Sequence, residues 1–465
     1  MSIALEPLSH KVQRTAVGTM VDVALAHVRK DRQKAFAEMV DVAKQFYGDS
    51  FSEETYEHAR AVLTDADSKW SKLINCVLDQ TAPNVARTTA LNLGYEAFFR
   101  GTKTIRENRT KYHCNIPWLI LMDPTSACNL HCTGCWAAEY GHKLNLDLDT
   151  IDNIVKQGKK LGIYMYIYTG GEPLVRKKDL ITLCERHPDC EFLSFTNGTL
   201  IDEAFCEELL RVKNFVPAIS LEGFETANDG RRGEGVYGKV KHAMKLLKDH
   251  KLPFGISTCY TSANYQDITS EEFFDMMIED GALFAWFFHY MPVGNDAVPE
   301  LMPNPDQRET VYRRIREYRK TKSIFTMDFQ NDAEFVHGCV AGGRYYLHIN
   351  AAGDVDPCVF IHYSNCNIHE HTLEALKSPL FMAYHRAQPF NDNMFQPCPM
   401  LENSGRITEL VKASGAKSTD PQSPESAEHL CGKTKAYAEA WAPRAEKLWK
   451  ERQEEIAAKK AAQNK

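Results

Sequence analysis

The chain has 465 residues, of which 43% are hydrophobic and 25% are charged, and its formal net charge at pH 7 is −7. These values are typical of a folded globular protein with more than one domain, and the negative charge argues against a nucleic-acid partner bound through a basic surface. No uncharged apolar run reaches the roughly 18 residues that a membrane helix needs, and no signal peptide is recognisable, so the sequence predicts a cytoplasmic protein.

Residues 1–112 are predicted to form an all-helical N-terminal domain. The stretches DRQKAFAEMVDVAKQFYG (31–48) and EETYEHARAVLTDADSKWSKLINCVL (53–78) repeat apolar residues every three or four positions, which is the period of an amphipathic helix. The Ala82-Pro83 pair is a typical point for a helix to end. No pattern in this segment indicates chemistry, so its role stays open.

Residues 113–300 alternate six short apolar runs with amphipathic segments. The runs are WLILMD (118–123), YMYIYTGG (164–171), EFLSFTNG (191–198), VPAISLEG (216–223), FGISTCYT (254–261) and FAWFFHYM (284–291). Strands that alternate with helices form a parallel sheet through right-handed crossovers, so six β/α units are predicted. Sites in such sheets lie at the carboxyl ends of the strands, and the polar motifs after the first four runs are therefore expected to meet.

Residues 301–402 are predicted to form a smaller region with four cysteines of its own. RYYLHINAAGDVDPC (344–358) has the pattern of a β-hairpin that turns at AAGD, which places Cys358 just after the second strand. The hairpin would therefore carry a thiol near each of its ends. Residues 403–465 follow as a polar linker rich in Pro and Ser and a charged, Ala-rich C-terminal helix.

Three of the fourteen cysteines lie within eight positions, in CNLHCTGC (128–135). In a long chain without a signal peptide, reduced thiols and metal ligation explain such a group better than disulfides do. A zinc ion would need a fourth ligand, for which His131 and His142 are the nearest candidates. A four-iron cluster held by three thiolates would instead keep one iron open to a substrate or cofactor.

The C-x3-C-x2-C spacing and the motifs that follow it resemble those of the radical S-adenosylmethionine (SAM) enzymes. The motifs are TGGEP (169–173), similar to the family's GGEP, and then TNGTLID (196–202), SLEG (220–223) and NDGRRG (228–233), in the family's order. The resemblance covers residues 120–400 and implies an α/β fold, a partial (β/α)6 radical SAM barrel. One position departs from the family: Gly134 stands where an aromatic residue usually precedes the third cysteine, and Trp136 is a candidate to replace it.

The resemblance also implies a role for each motif. Cys128, Cys132 and Cys135 would ligate a [4Fe-4S] cluster, whose open iron would bind SAM through the amino and carboxylate groups. The residues implied in cofactor binding are Trp136, Gly170, Gly171, Glu172, Pro173, Asn197, Ser220, Glu222 and Arg232. Arg231 is an alternative to Arg232 as the cation for the SAM carboxylate, and a purely structural turn is the alternative role for Asn197.

A second resemblance concerns the C-terminal cysteines. Cys339 and Cys358 have the C-x(9–15)-G-x4-C spacing that opens SPASM and twitch auxiliary-cluster domains. It implies one auxiliary iron–sulfur cluster, with Cys398 as the third ligand and Cys366, Cys431 or substrate as the fourth. The closely spaced cysteine pairs that complete a SPASM pattern are missing from the sequence, so a zinc site or free thiols are the alternatives.

The resemblance implies an oxygen-sensitive radical SAM oxidoreductase or transferase. Such an enzyme cleaves SAM to a 5′-deoxyadenosyl radical and functionalises an unactivated C–H bond, with electrons from a donor such as flavodoxin or ferredoxin. A peptide or protein is the expected substrate; a lipid or other small apolar molecule, with peripheral membrane contact, is the alternative. A metal-binding scaffold without catalysis is the alternative of another class. The sequence does not indicate the oligomeric state.

Overall fold

The N-terminal part of the chain is helical. The computed structural model describes residues 6–28, 30–48 and 51–463. The first helices are α1 (Glu6–Val28), α2 (Arg32–Tyr47), α3 (Glu53–Thr64), α4 (Lys69–Gln80), α5 (Pro83–Thr89) and α6 (Thr102–Tyr112), with a π-helical segment (Ala90–Gly101) between the last two. Asp31, Ser52 and Ser68 cap three of them by accepting backbone N–H groups. The predicted helical region is confirmed.

A nine-stranded sheet forms the centre of the molecule. Its strands are β1 (Leu119–Met122), β2 (Met165–Tyr168), β3 (Glu191–Thr196), β4 (Phe215–Ser220), β5 (Gly255–Tyr260), β6 (Phe284–His289), β7 (Phe325–Asp328), β8 (Tyr346–Ile349) and β9 (Val355–Asp356). They lie in the order β7-β6-β5-β4-β3-β2-β1-β8-β9, and each neighbouring pair is parallel except β8 and β9. The first six strands correspond to the six apolar runs, so the predicted α/β architecture is confirmed.

Helices connect the parallel strands and cover one face of the sheet. They are α7 (Leu148–Leu161), α8 (Lys177–Arg186), α9 (Glu203–Val212), α10 (Glu225–Arg232), α11 (Val236–Asp249), α12 (Tyr265–Ile268) and α13 (Glu271–Glu279). Side chains alternate along β1, so Ile120 and Met122 belong to the core beneath these helices, whereas Leu121 belongs to a second core on the opposite face. The opposite face and the C-terminal region together enclose the site.

The segment after β6 adds a strand to each side of this sheet. β7 pairs with β6, and β8 pairs in parallel with β1. β8 and β9 form the predicted hairpin, whose turn contains Gly353 at φ +87 and which ends just before Cys358. Because these strands join the barrel sheet, the domain boundaries at residues 300 and 402 stay predictions.

The rest of the C-terminal region is mainly helical. Its elements are α14 (Pro305–Thr321), α15 (Ala333–Val336), β10 (Tyr363–Ser364), α16 (Thr372–Leu376), α17 (Pro379–Ala387), α18 (Arg406–Ser414), β11 (Lys417–Ser418) and α19 (Ala427–Gln463). The predicted C-terminal helix is α19, and α18 lies within the segment expected to be a linker. Across the described ranges, no helix has both the length and the apolar character needed to cross a membrane.

Candidate active site

The CNLHCTGC loop presents three thiols to a cavity of about 370 Å³. These thiols belong to Cys128, Cys132 and Cys135. The loop follows β1 at the carboxyl edge of the sheet, where the Ser126 N–H donates to the Leu144 carbonyl oxygen and the Thr133 N–H to that of Arg231, each at 2.9 Å. The backbone of the loop is therefore anchored to the barrel on both sides of the first cysteine pair.

The motifs at the ends of β2, β3 and β4 reach the same cavity. The other predicted residues that line it are Trp136, Gly170, Gly171, Glu172, Asn197, Ser220, Glu222 and Arg232. Pro173 is not in the wall; it is buried at the start of the short turn Pro173–Arg176. Parallel strands place their carboxyl ends at one edge, which brings together motifs that are far apart in sequence.

Glu172 joins the ends of two strands. Its buried carboxylate accepts hydrogen bonds from the Thr196 hydroxyl (2.7 Å), the Asn197 N–H (2.7 Å) and the Leu174 N–H (2.9 Å). Burial raises the pKa of Glu172, and these donors oppose that rise. Much of the acceptor capacity of this carboxylate is therefore used within the protein, and its predicted bond to the SAM amino group stays a prediction.

One buried carboxylate holds two guanidinium groups beside the cysteine loop. Glu222 Oε1 accepts from Arg231 Nη1 at 2.7 Å and from Arg232 Nε at 3.0 Å, while Arg232 Nη1 lies 3.9 Å from Cys132 Sγ. Burial alone would lower the pKa of Arg232, but the Glu222 carboxylate and the Cys132 thiol raise it above its ordinary value. Two guanidinium groups thus lie at this end of the cavity, and cations of this kind suit the carboxylate of a ligand.

Tyr290 occupies the space that a side chain at position 134 would need. Gly134 has φ +66, and a Cβ atom built on it would lie 2.5 Å from Tyr290 Oη. Tyr290 is the residue after β6, and its ring centroid lies 6.0 Å from the guanidinium carbon of Arg231. Trp136 instead packs edge-on against Phe360 in the C-terminal region. Tyr290 is thus an aromatic neighbour of the third cysteine that the sequence analysis did not identify. The one sequence feature that could have pointed to it is its position at the end of a predicted strand.

Aromatic side chains form much of the remaining wall. Phe195 and Trp286, from β3 and β6, have ring centroids 5.3 Å apart, and Phe288 contacts Phe329 at the same separation. Other apolar wall residues are Trp118, Leu121, Ile167, Met291, Val340, Tyr345, Val359 and Phe360. A cavity with charged groups beside the thiols and apolar walls elsewhere suits a ligand that is polar in one part and apolar in another.

A second group of cysteines lines a smaller cavity of about 50 Å³. It consists of Cys339, Cys358 and Cys398. Met291, Phe329 and Phe360 belong to the walls of both cavities, so the two adjoin. Cys366 lies elsewhere in the core, with Sγ 4.0 Å from the Ala375 carbonyl oxygen, and Cys431 is buried at the start of α19; neither lines this cavity. The structure therefore groups three of the five cysteines predicted for the auxiliary site.

The three-cysteine loop fits a four-iron cluster. Burial raises the pKa of Cys128 to about 11, so this thiol keeps its proton at neutral pH until a metal displaces it. In the described part of the chain, no three His, Cys, Asp or Glu side chains are close enough to hold a single metal ion. The ligands of a cluster need not converge on one atom, because each thiolate binds a different iron. The adjacent guanidinium groups would balance the negative charge of the ligated thiolates.

Comparison with known proteins agrees with this chemistry. Residues 122–277 match the family model of the radical SAM superfamily, so this part of the chain is a radical SAM domain. Members of that superfamily are enzymes that use a [4Fe-4S] cluster and SAM, which agrees with the three thiols at the cavity.

Two curated proteins and one solved structure illustrate the similarity. An AdoMet-dependent heme synthase of Methanosarcina barkeri is 25% identical over 285 residues, which cover 55% of this chain and 80% of the relative. A PqqA peptide cyclase of Gluconobacter oxydans is 26% identical over 329 residues, or 66% of this chain and 90% of the relative. The structure of Streptococcus suis SuiB bound to SAM aligns with a TM-score of 0.49 and 17% identity, over 78% of this chain and 82% of SuiB.

Gly171→Ala is expected to displace the cysteine loop. A Cβ atom at Gly171 would lie 2.2 Å from the Ala127 carbonyl oxygen and 2.5 Å from that of Ser126, and backbone atoms cannot move aside as flexible side chains do. A shift of about 1 Å in a catalytic loop can slow an enzyme about 100-fold, and we expect a loss of that size in 5′-deoxyadenosine formation, with less iron bound per chain. Iron analysis and chromatography of the nucleoside products measure both.

Gly238→Ala is the matched control for this substitution. Gly238 lies inside α11, and a Cβ atom there would meet no atom within 4 Å. Alanine favours a helix by about 1 kcal/mol over glycine, so this variant should keep its iron and its rate. Equal iron content and equal rates in the two variants would show that the close approach at Gly171 does not position the loop.

Proposed function

We propose that this enzyme cleaves SAM reductively and uses the 5′-deoxyadenosyl radical to functionalise an unactivated C–H bond in a peptide or protein. The observation that carries the proposal is the single cavity that joins the three-thiol loop, the Arg231–Arg232–Glu222 group and an aromatic wall. A cofactor at the thiol end and a substrate against the aromatic wall would thus share one cavity.

The chain's own residues would hold and orient the reacting groups. When bound, the cluster supplies the electron that splits SAM into methionine and the radical. Cys128, Cys132 and Cys135 would hold the cluster, and Arg232, fixed by Glu222, would pair with the SAM carboxylate. The apolar wall would exclude water, which protects a radical from side reactions.

Two observations bear on the substrate. The similarity to PqqA peptide cyclases, over 90% of the length of one of them, supports a peptide. The similarity to AdoMet-dependent heme synthase, together with the aromatic wall, favours a small apolar molecule as the second candidate. In either case the wall would contact an apolar part of the substrate, such as an aromatic or aliphatic side chain of a peptide.

The proposal is tested with protein reconstituted anaerobically with iron and sulfide. We expect SAM and dithionite to give 5′-deoxyadenosine, and we expect a short peptide encoded beside the gene, when co-expressed, to change in mass. Unchanged peptide together with steady 5′-deoxyadenosine formation would favour the small-molecule substrate. Iron-loaded protein that forms no 5′-deoxyadenosine, with or without the peptide, would refute the radical chemistry.

A further inference from the structure

The small cavity with three cysteines also contains a tyrosine hydroxyl without a partner. Tyr384 is fully buried on α17 and lines this cavity together with Cys339, Cys358 and Cys398. Its Oη accepts and donates no hydrogen bond within the described part of the protein. A buried hydroxyl without a partner is unfavourable, so such a group calls for an explanation such as an unseen ligand.

The other polar groups in this wall already have partners. Tyr346 Oη lies 2.8 Å from Cys358 Sγ, with which it shares a hydrogen bond. Gln330 Oε1 accepts the His289 N–H at 2.9 Å. Tyr384 thus differs from its neighbours in the wall, because its oxygen has no hydrogen-bond partner and it shares the small cavity with three thiols.

The surrounding structure holds the Tyr384 ring in place. Gly342 has φ +64, and a Cβ atom there would lie 2.6 Å from Cδ1 of this ring, so the glycine makes room for it. Phe390 packs edge-on against the ring with a centroid distance of 5.3 Å. The Gly342 N–H donates to the Pro357 carbonyl oxygen at 2.8 Å, which ties the backbone after Cys339 to the backbone before Cys358. The orientation of the phenol is therefore coupled to the two cysteine segments.

We propose that Tyr384 is the fourth ligand of an auxiliary [4Fe-4S] cluster held by Cys339, Cys358 and Cys398. This inference rests on the proposed function and adds to it a ligand for the auxiliary cluster that the spacing of Cys339 and Cys358 implies. Each thiol, and the phenol, would release its proton to solvent as the iron binds, and no electron is transferred in that step. Burial, together with the nearby Cys339 and Cys358 thiols, raises the pKa of Tyr384 well above its ordinary value, so the free phenol is neutral until iron arrives.

The test isolates the auxiliary site in the full-length chain. Cys128, Cys132 and Cys135 are all replaced by alanine, and the protein is reconstituted with iron and sulfide and reduced with dithionite. Into this background we introduce Tyr384→Phe, with Tyr346→Phe as the matched control from the same cavity. Cyanide, which binds an iron that lacks a protein ligand, is the probe, and the electron paramagnetic resonance spectrum is the readout.

We expect cyanide to change the spectrum of the Tyr384→Phe protein. We expect the spectra of the background protein and of the Tyr346→Phe protein to be the same with and without cyanide. A background protein that already responds to cyanide, or a Tyr384→Phe protein that does not, would overturn the assignment. So would a background protein that binds no iron. If the Tyr384→Phe protein loses its iron, Tyr384→Cys tests whether position 384 holds a cluster ligand. Recovery of a cluster in Tyr384→Cys supports that role, and failure to recover one contradicts it. None of these readouts uses SAM. The assignment of Tyr384 as a ligand can therefore be refuted while the parent protein still forms 5′-deoxyadenosine.

Discussion

Replacing Cys132 by alanine is expected to reduce 5′-deoxyadenosine formation to the level of a protein-free control. Cys132 lies between the other two cysteines of the loop, and its Sγ is 3.9 Å from the Arg232 guanidinium. Removal of one thiolate leaves a second iron of the cluster without a protein ligand, and the cluster is then no longer held in place to deliver its electron to SAM. Iron and sulfide analysis should fall together with the nucleoside product.

Cys259→Ala is the control that separates a ligand from a nearby thiol. Cys259 lines the same cavity but lies on β5, outside the loop; its backbone N–H donates to Glu222 at 3.0 Å, and its thiol lies beside the Arg231 guanidinium. Alanine keeps that N–H, so iron content and product should stay close to those of the parent. Loss of iron in Cys259→Ala, or continued cleavage in Cys132→Ala, would mean that the ligand set differs from the three cysteines of the loop.

The barrel could be predicted because its signals are local. Each apolar run is one strand, each amphipathic segment is one helix, and parallel strands must share an edge. The meeting of Cys128, Gly171 and Glu222 at one cavity follows from that rule alone. The places of β7 and β8 in the sheet could not be predicted in the same way, because their partners β6 and β1 are set by contacts distant in sequence.

Individual side chains of the site depend on packing that sequence does not display. Tyr290 stands beside Gly134 because the end of β6 faces the cysteine loop, and Arg231 joins Arg232 at Glu222 because α10 ends there. Tyr384 lies in an apolar helix, where a core role is the ordinary expectation.

Which cysteines lie together also depends on packing in the folded chain. Cys366 is one of the three alternatives for the fourth auxiliary ligand, with Cys431 and substrate, but the structure places its thiol in the core and outside the cavity that Cys358 lines. Register and burial decide such cases, and both are properties of the folded chain.

Arg308→Met is expected to lower the free energy of unfolding by about 3–5 kcal/mol, as the loss of one partner from a buried ion pair does. Arg308 is fully buried, and its Nη2 lies 2.6 Å from Glu402 Oε1, which is also buried. Its other nitrogens donate to Asn331 Oδ1 (2.9 Å) and Tyr437 Oη (3.1 Å), and the guanidinium lies 4.2 Å from the Trp441 ring. Urea unfolding of the iron-free protein, followed by tryptophan fluorescence, measures the change.

Arg313→Met on the same helix should cost less than about 1 kcal/mol, because its ion pairs with Glu309 and Glu451 involve a half-exposed guanidinium. The double variant Arg308→Met/Glu402→Gln should recover much of the loss, since no charge is then buried without a partner and the amide oxygen can still accept the Cys398 N–H. A double variant less stable than Arg308→Met would contradict this account of the pair.

The same ion pair connects stability to the second cysteine group. Glu402 Oε2 accepts the Cys398 N–H at 2.7 Å, so the carboxylate that Arg308 neutralises also holds the backbone of a proposed cluster ligand. Without Arg308, burial favours the protonated form of Glu402, which is a weaker acceptor for that N–H. Arg308→Met should therefore lose iron from the Cys339–Cys358–Cys398 site at urea concentrations where Arg313→Met still retains it.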